Sequence, residues 1–416
     1  MAARYYAKCT SCKKQADAPP DITTCASCGG ILDIKYDYNV IGKSVGRKTL
    51  EDSRDRTMWR YRAFLPVSDD ADVTGGLRVG NSPLYKADKL GGEIGLSNLY
   101  IKDDGFNPTS SLKDRASAMA VVKAAEAGAS VIACASTGNA ASSLAGSAAK
   151  TGFKTYIFVP GRAPLGKVTQ LLVFGANVIS VDGSYEETFR LSAKAIERWG
   201  WYNRNAAVNP FLMEGKKTVS FEIAERLNWE IPDYVAVSVG DGCTAAGVWK
   251  GFYDLHAAGL TDKLPRLISV QAEGCSPVNN AVEADSDKLV PTQENTIADS
   301  IAVGVPRNFL KAVTAIRQSN GITVNVSDRE ILDAIARMGK TTGVFAEPAG
   351  AAGTAGVIKA RANGLIPRGA SVVSIVTGNG LKDIKSGEKA TGAPILVKPD
   401  MNALIDGFEK AGAVPG

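Results

Sequence analysis

Short apolar runs recur along most of this chain, and a stretch suited to helix follows nearly every one. The runs are "NLYIKDD" (98–104), "SVIACAS" (130–136), "KTYIFVP" (154–160), "NVISVDG" (177–183), "YVAVSVG" (234–240), "RLISVQAEG" (266–274), "ITVNVS" (322–327) and "SVVSIVTG" (371–378). In the first half, helices are expected over 111–128, 139–151, 166–174 and 184–199. Strands that are apolar on both faces and joined by helices build parallel sheets covered on both sides. The pattern therefore predicts an α/β protein with two doubly wound lobes. Ligands in that class sit beyond the carboxyl ends of strands, where loops meet helix N-termini. With 416 residues, the chain has room for two or three domains. The expected division is a module over 1–40, a charged connecting segment over 41–96 that packs on the larger lobe, and one lobe over 97–220. The rest of the larger lobe follows over 221–390, then a tail over 391–416 that frays at "EKAGAVPG".

Composition narrows the chemistry. The net charge of +5 is spread without a long basic run, so nothing marks a nucleic-acid surface. No stretch of about 18 apolar residues is present to span a membrane. The N-terminus "MAARYYAKCTSC" lacks the apolar core of a signal segment. The expectation is a cytoplasmic protein with a small-molecule substrate and neither nucleic acid nor membrane as partner. There is a single histidine, His256 in "YDLHAAGL". It reads as a surface residue late on a helix, and histidine-based triads and metal sites are nearly excluded. Acid–base work must then come from lysine, carboxylates, hydroxyls or a cofactor.

Four of the seven cysteines form two pairs, Cys9-x-x-Cys12 and Cys25-x-x-Cys28, with twelve residues between them. Two such knuckles can present four thiolates in a tetrahedron, the geometry of structural zinc. A zinc-ribbon-like module and an apo remnant or redox pair both stay open. Either way the motif is an N-terminal module and not the active site. Cys134 reads as core, and Cys275 stands alone.

Three strand-to-helix junctions are rich in small residues. In "SVGDGCTAAGVWKGF" (238–252), Gly240, Asp241, Gly242, Cys243 and Thr244 turn a strand into a helix, so free N–H groups and the helix dipole can cradle an anion. The segment lacks the Gly-Lys-Ser/Thr of a nucleotide loop. It matches Gly-x-Gly-x-x-Ala loosely, with Glu273 ending the next strand, so a dinucleotide site and a simple tight turn are alternatives here. In "ACASTGNAASSLAGSAA" (133–149), Ser136, Thr137, Gly138 and Asn139 exceed what one helix cap needs and suit a small carboxylate. In "SIVTGNGLKD" (374–383), Thr377 follows a buried strand and can meet a ligand ring.

The remaining singular stretch is "GFNPTSSLKDRASA" (105–118), which puts Lys113 at a helix start, where cations are disfavoured. That environment disfavours the ammonium form and makes a lysine a better nucleophile and base. A lysine amine near an anion cradle suits a Schiff base with an aldehyde cofactor such as pyridoxal phosphate.

Together these segments resemble the threonine synthase family, and more widely the fold-type II (tryptophan synthase β-like) pyridoxal-phosphate enzymes, from about residue 80 to 385. "NPTSSLKDR" is similar to that family's Asn-Pro-Thr-Gly-Ser-Phe-Lys-Asp-Arg, and "CASTGNAASSLAG" to its Ser-Thr-Gly-Asn loop. "VGDGCTAAGVWKGF" falls at its phosphate loop, and "FAEPAGAAG" and "TGNGLKD" resemble further family segments. The resemblance implies Lys113 as the Schiff-base lysine, Asn139 on the ring hydroxyl, Gly240 to Thr244 around the phosphate and Thr377 beside the pyridine nitrogen. It implies Ser110, Ser111, Ser136, Thr137 and Gly138 as substrate-binding residues, with the last three holding the α-carboxylate. It also implies a homodimer acting on an amino-acid substrate, as a threonine synthase does in turning O-phosphohomoserine into threonine and phosphate.

The chain departs from the family at informative places. Ser110 stands where the family has Gly, Leu112 where it has Phe, and Asn379 where it often has His. The family's Asn-Ser-x-Asn-Pro-x-Arg, a grip for the substrate phosphate, reads "AAVNPFL" here, so Ala206, Ala207 and Leu212 replace Asn, Ser and Arg. An apolar wall is a poor holder of a dianion. Lys216, Lys217 and Arg162 are the candidates to take over. The rival expectation is β-elimination or β-replacement on a serine-, threonine- or phosphoserine-like substrate, as in a dehydratase or a sulfite- or sulfide-adding synthase.

Overall fold

A computed structural model describes residues 4–161 and 165–412. The chain opens with a three-stranded antiparallel sheet of β1 (Tyr5–Cys9), β2 (Gln15–Ala16) and β3 (Leu32–Tyr36). Next come β4 (Leu84–Lys86), β5 (Asn98–Asp103), β6 (Val131–Ala135), β7 (Lys154–Pro160), β8 (Asn177–Val181) and β9 (Tyr202–Asn203). The last strands are β10 (Tyr234–Ser238), β11 (Arg266–Ala272), β12 (Ile322–Val326) and β13 (Ser371–Val376).

Two further sheets form. One has the order β12-β11-β10-β13-β5-β4, with β4 alone antiparallel; the other is all parallel, β8-β7-β6-β9. This is the two-lobed α/β architecture that the alternation predicts. Strand β10 is buried along its whole length, as expected of a central parallel strand with helices on both faces. Strand β5, which leads into the Lys113 turn, belongs to the larger sheet and pairs with β13 from near the other end of the chain.

The segment after β3 packs on the larger lobe. Tyr61 and Phe64, from the short helix Met58–Phe64, each bring a ring to 5.1 Å from that of Phe221. At the other end, the expected frayed tail is in part a helix, Met401–Ala411. Asp400 caps it by accepting the Ala403 N–H at 3.0 Å, and Gly407 lets it approach Ile395 and Val397. Residues 413–416 lie outside the described residues.

Beneath helix Lys113–Glu126 lies a cluster of buried charges. Arg115 donates to both carboxylate oxygens of Asp104, at 2.7 and 2.8 Å, and to both of Glu222, at 2.6 and 2.8 Å. It also donates to Thr218 at 2.9 Å. Lys102 donates to Glu222 at 2.7 Å and to the Ser82 carbonyl at 2.6 Å. Two cations thus face two carboxylates with all four side chains out of water. Their helix packs closely because Gly215 carries no Cβ, which would collide with the Arg115 carbonyl.

Taking one member from such a cluster leaves a buried charge unmatched, which costs about 3–5 kcal/mol. Arg115→Ala is expected to lose that much stability, read as a lowered urea midpoint. Arg115→Lys should recover little, because an ammonium cannot make two bidentate pairs.

Candidate active site

A cavity of about 400 Å³ opens between the two parallel sheets. Its wall is built from the loops that leave the strand ends: Ser136 to Ala140 after β6, Arg204 to Ala206 after β9, Val239 to Ala245 after β10 and Thr377 after β13. Lys113, Lys216, Glu347, Glu294, Asp299, Ser300 and Arg307 add to the polar lining. The convergence of strand ends is what a doubly wound sheet provides where its order reverses.

Lys113 is the first residue of helix Lys113–Glu126. The turn before it is fixed by Asp114, which accepts the Thr109 N–H at 2.7 Å and the Thr109 hydroxyl. It is then stitched to the segment after β13. The Leu112 N–H donates to the Thr377 carbonyl at 2.9 Å, the Asn379 N–H to the Ser110 carbonyl at 3.1 Å, and Ser111 bridges Gly378. Ser110 sits at φ +66°, a left-handed conformation that glycine adopts at least cost. That is the physical sense of the family's glycine. Ser110 and Ser111 serve this seam and do not line the cavity. Ser111 is fully buried and its hydroxyl has no partner among the described residues.

Lys113 keeps some free surface because it borders the cavity, and it makes no hydrogen bond or ion pair with the described residues. The cavity is deep, so burial pushes its ammonium down from the ordinary 10.5 to about 7, aided by the charges of Lys216 and Arg204.

The glycine loop after β10 is a cradle by construction. A Cβ on Gly240 would stand 2.8 Å from Ile301 Cα, and one on Gly242 2.8 Å from the Asn308 carbonyl. Gly242 also lies at φ +88°. It starts helix Cys243–Ala257, whose N-terminus has no side-chain cap. Free N–H groups at an uncapped helix start form an anion site. Asp241 is turned away into structural work, accepting from the Arg307 N–H at 2.8 Å and from Asn308 at 3.2 Å.

The loop after β6 starts helix Asn139–Thr151 at Gly138, again without a side-chain cap. The helix is rich in small residues because it packs closely here; a Cβ on Gly146 would stand 2.6 Å from the Thr109 methyl. Asn139 donates to Glu347 at 2.6 Å. The Glu347 N–H in turn donates to the Gly378 carbonyl at 3.1 Å. This links the loops after β6 and β13, and Gly378 must lack a Cβ because the Glu347 carboxylate fills that place.

The cavity brings together Lys113, Ser136, Thr137, Gly138, Asn139, Gly240, Asp241, Gly242, Cys243, Thr244 and Thr377. Of the three cations considered for an anion grip, Lys216 lines it. Lys217 lies elsewhere, paired with Glu214 at 2.7 Å and Asp254 at 2.5 Å, and Arg162 falls outside the described residues. Leu212 is core, packed with Ala116, Ala120 and Leu144. Sequence reasoning missed Glu347, Arg204 and Asn205. The one signal for Glu347 was an acid directly before a proline at a helix start in "FAEPAGAAG". His256 is exposed on its helix, and Cys134 is buried in β6.

The family model described as "Pyridoxal-phosphate dependent enzyme" matches residues 76–378, and the chain belongs to that family. Within it the chain is a threonine-synthase-like lyase. It is 39% identical to a threonine synthase of Methanocaldococcus jannaschii over 95% of this chain and 98% of that one. It is 37% identical to a threonine synthase of Methanosarcina acetivorans over 98% and 100%. Among solved structures, a processed threonine deaminase from Solanum lycopersicum shares the fold, with a TM-score of 0.66 at 23% identity over 80% of this chain and 92% of that one.

The residues present fit the cofactor: a cradle that only glycines can form, an uncapped helix start and an unpaired lysine meet in one cavity. Without cofactor, the Lys113 amine is expected to react with an amine-directed aryl fluoride with a midpoint near pH 7, since only the neutral form attacks. Exposed lysines should not react fully until near pH 10.5. Peptide mass spectrometry across a pH series reads this directly.

Proposed function

We propose that the chain is a pyridoxal-phosphate lyase that cleaves a side-chain carbon–oxygen bond of an amino acid, as threonine synthase does with O-phosphohomoserine. The observation that carries this reading is the convergence on one cavity of an unpaired Lys113, the Ser-Thr-Gly-Asn loop, the glycine cradle and Thr377. When bound, pyridoxal phosphate supplies an electron sink conjugated to the substrate α-carbon. Lys113 anchors it and, once released, moves a proton at that carbon. Gly240 to Thr244 hold the phosphate, Asn139 meets the ring hydroxyl, and Ser136, Thr137 and Gly138 take the α-carboxylate. Thr377 offers the pyridine nitrogen a hydroxyl, which does not enforce a protonated ring as a carboxylate would. Ser110 and Ser111 hold the lysine turn in place beside them.

One observation favours the second reading, elimination or replacement at the β-carbon. Leu212 and Ala207 are buried, so the family's phosphate grip has no counterpart at those positions. Phosphate release from O-phosphohomoserine, measured beside ketoacid release from serine and threonine, separates the two. Phosphate release alone supports the first, and ketoacid release alone supports the second. The purified protein should be yellow and Lys113→Ala colourless; a colourless wild type that stays so with added cofactor sinks both.

The four thiols of Cys9, Cys12, Cys25 and Cys28 lie within 4.8 Å of one another. Cys9 and Cys28 are 3.6 Å apart, and Cys12 and Cys25 3.7 Å. A Zn–S bond of about 2.3 Å gives a tetrahedron edge of about 3.8 Å, so we read the module as a structural zinc site. All seven cysteines are free thiols, which supports a reducing, cytoplasmic setting, and the family resemblance supports a homodimer. Metal analysis should find one zinc per chain and none in Cys9→Ser, with a lower melting temperature in that variant.

A further inference from the structure

The lost phosphate grip leaves a question of charge. Two polar side chains directly before Ala206 and Ala207 border the same cavity: Arg204, 2% exposed, and Asn205, 3% exposed. Neither is satisfied by its surroundings.

Arg204 has no carboxylate partner among the described residues. Its Nε and Nη2 donate to the Ser117 hydroxyl at 3.2 and 3.0 Å, and Nη2 also reaches the Ser143 hydroxyl at 3.5 Å. Its Nη1 donates to none of the described residues. The contrast with Arg115, whose cation meets two carboxylates, is direct. Burial lowers the Arg204 pKa from its ordinary value, yet a guanidinium stays charged in proteins. A buried charge held only by hydroxyls is incomplete without an anion.

Asn205 is oriented unambiguously. Its Oδ1 accepts the Ala135 N–H at 2.9 Å, so a flipped amide would set two donors against each other. Its Nδ2 therefore stands as a buried donor without a partner among the described residues. The Arg204 N–H bonds the Ala133 carbonyl at 3.0 Å, so both residues are pinned to β6 beside the Ser-Thr-Gly-Asn loop. Lys216 approaches from another wall, its Cβ near Gly247 behind the glycine cradle, and belongs to the cradle's side.

We propose that Arg204 and Asn205 form an oxyanion subsite that takes the place of the missing Asn-Ser-Arg grip, and that the substrate set includes an oxyanion of phosphorus or sulfur. The proposal rests on the lyase reading above. The oxyanion has two sources: an ester group carried by the amino acid, or a free anion such as sulfite that binds beside it. The shared chemistry is a compact group with two or more acceptor oxygens facing a guanidinium and an amide.

The test uses the holoenzyme, with inorganic phosphate and sulfite as probes and the cofactor's visible band and calorimetry as readouts. Arg204→Gln and Asn205→Ala are expected to weaken anion binding at least tenfold, and Asn205→Ala to leave the cofactor band and cofactor affinity within twofold of wild type. Arg204→Lys should recover part of the affinity. If Arg204 variants do not fold, Asn205→Asp decides alone, since a carboxylate there should abolish anion binding.

Kinetics separate the sources. A raised KM for O-phosphoserine or O-phosphohomoserine, with that for serine unchanged, assigns the anion to the amino acid. A raised KM for sulfite, with that for the amino acid unchanged, assigns it to the free anion. Unchanged anion affinity in a folded, yellow Asn205→Asp overturns the subsite and leaves the lyase reading intact, as does unchanged affinity in an Arg204 variant that folds. A wild type that takes up no cofactor overturns the lyase reading instead.

Discussion

The position of Lys113 depends on the buried quartet of Arg115, Asp104, Glu222 and Lys102. Arg115 follows Lys113 by two residues on the same first helical turn. Asp104 ends the strand-to-turn passage after β5, and Glu222 belongs to helix Thr218–Arg226. One guanidinium therefore locks three elements together with geometry that tolerates little displacement. Because each charge is stable only with the others present, the arrangement forms as a unit. A comparable group of Glu214, Lys217, Lys250 and Asp254 ties the cysteine module to the core, with Tyr36 donating to Glu214 at 2.7 Å.

The lysine itself is held under opposed forces. Its helix start, its depth and two neighbouring cations all act against protonation. Against them stands the negative charge of Glu347, which Asn139 and Gly378 hold in place. A buried amine held largely neutral in this way costs the fold stability.

Much of the architecture was legible because the strands are apolar on both faces and end at glycines. Strands β7 and β12 fall where the pattern puts them, and helix Asn139–Thr151 matches its expected limits. Sheet order was not legible, since the pairing of β5 with β13 is a tertiary fact. Strand β9, two residues long, is too short for periodicity to register. The helix after Asp400 was missed although Met401, Leu404, Ile405 and Phe408 stand at helical spacing behind the Asp400 cap, because the closing "EKAGAVPG" reads as a fraying end. At the site, small residues at strand ends marked the three loops. Arg204 and Asn205 carried no such mark; their meaning comes from a guanidinium that meets hydroxyls instead of a carboxylate and an Nδ2 with no acceptor among the described residues. Ser110 could be flagged only as a departure, and its φ gives the reason.

The seam between the lysine turn and the segment after β13 also sets an order of events during synthesis. Asn98 pairs with Ser371, and Leu112 is fastened to Thr377. At ribosomal rates the later partners emerge on the order of tens of seconds after the earlier ones. Until then β5 and β10 each lack the strand that will lie between them, and both carry exposed apolar edges of the kind that recruit other chains. The nascent protein must keep two open edges apart from its neighbours until almost the whole chain is made. A chain that stops short of residue 371 would lack both the binding cavity and the central strand of its larger sheet.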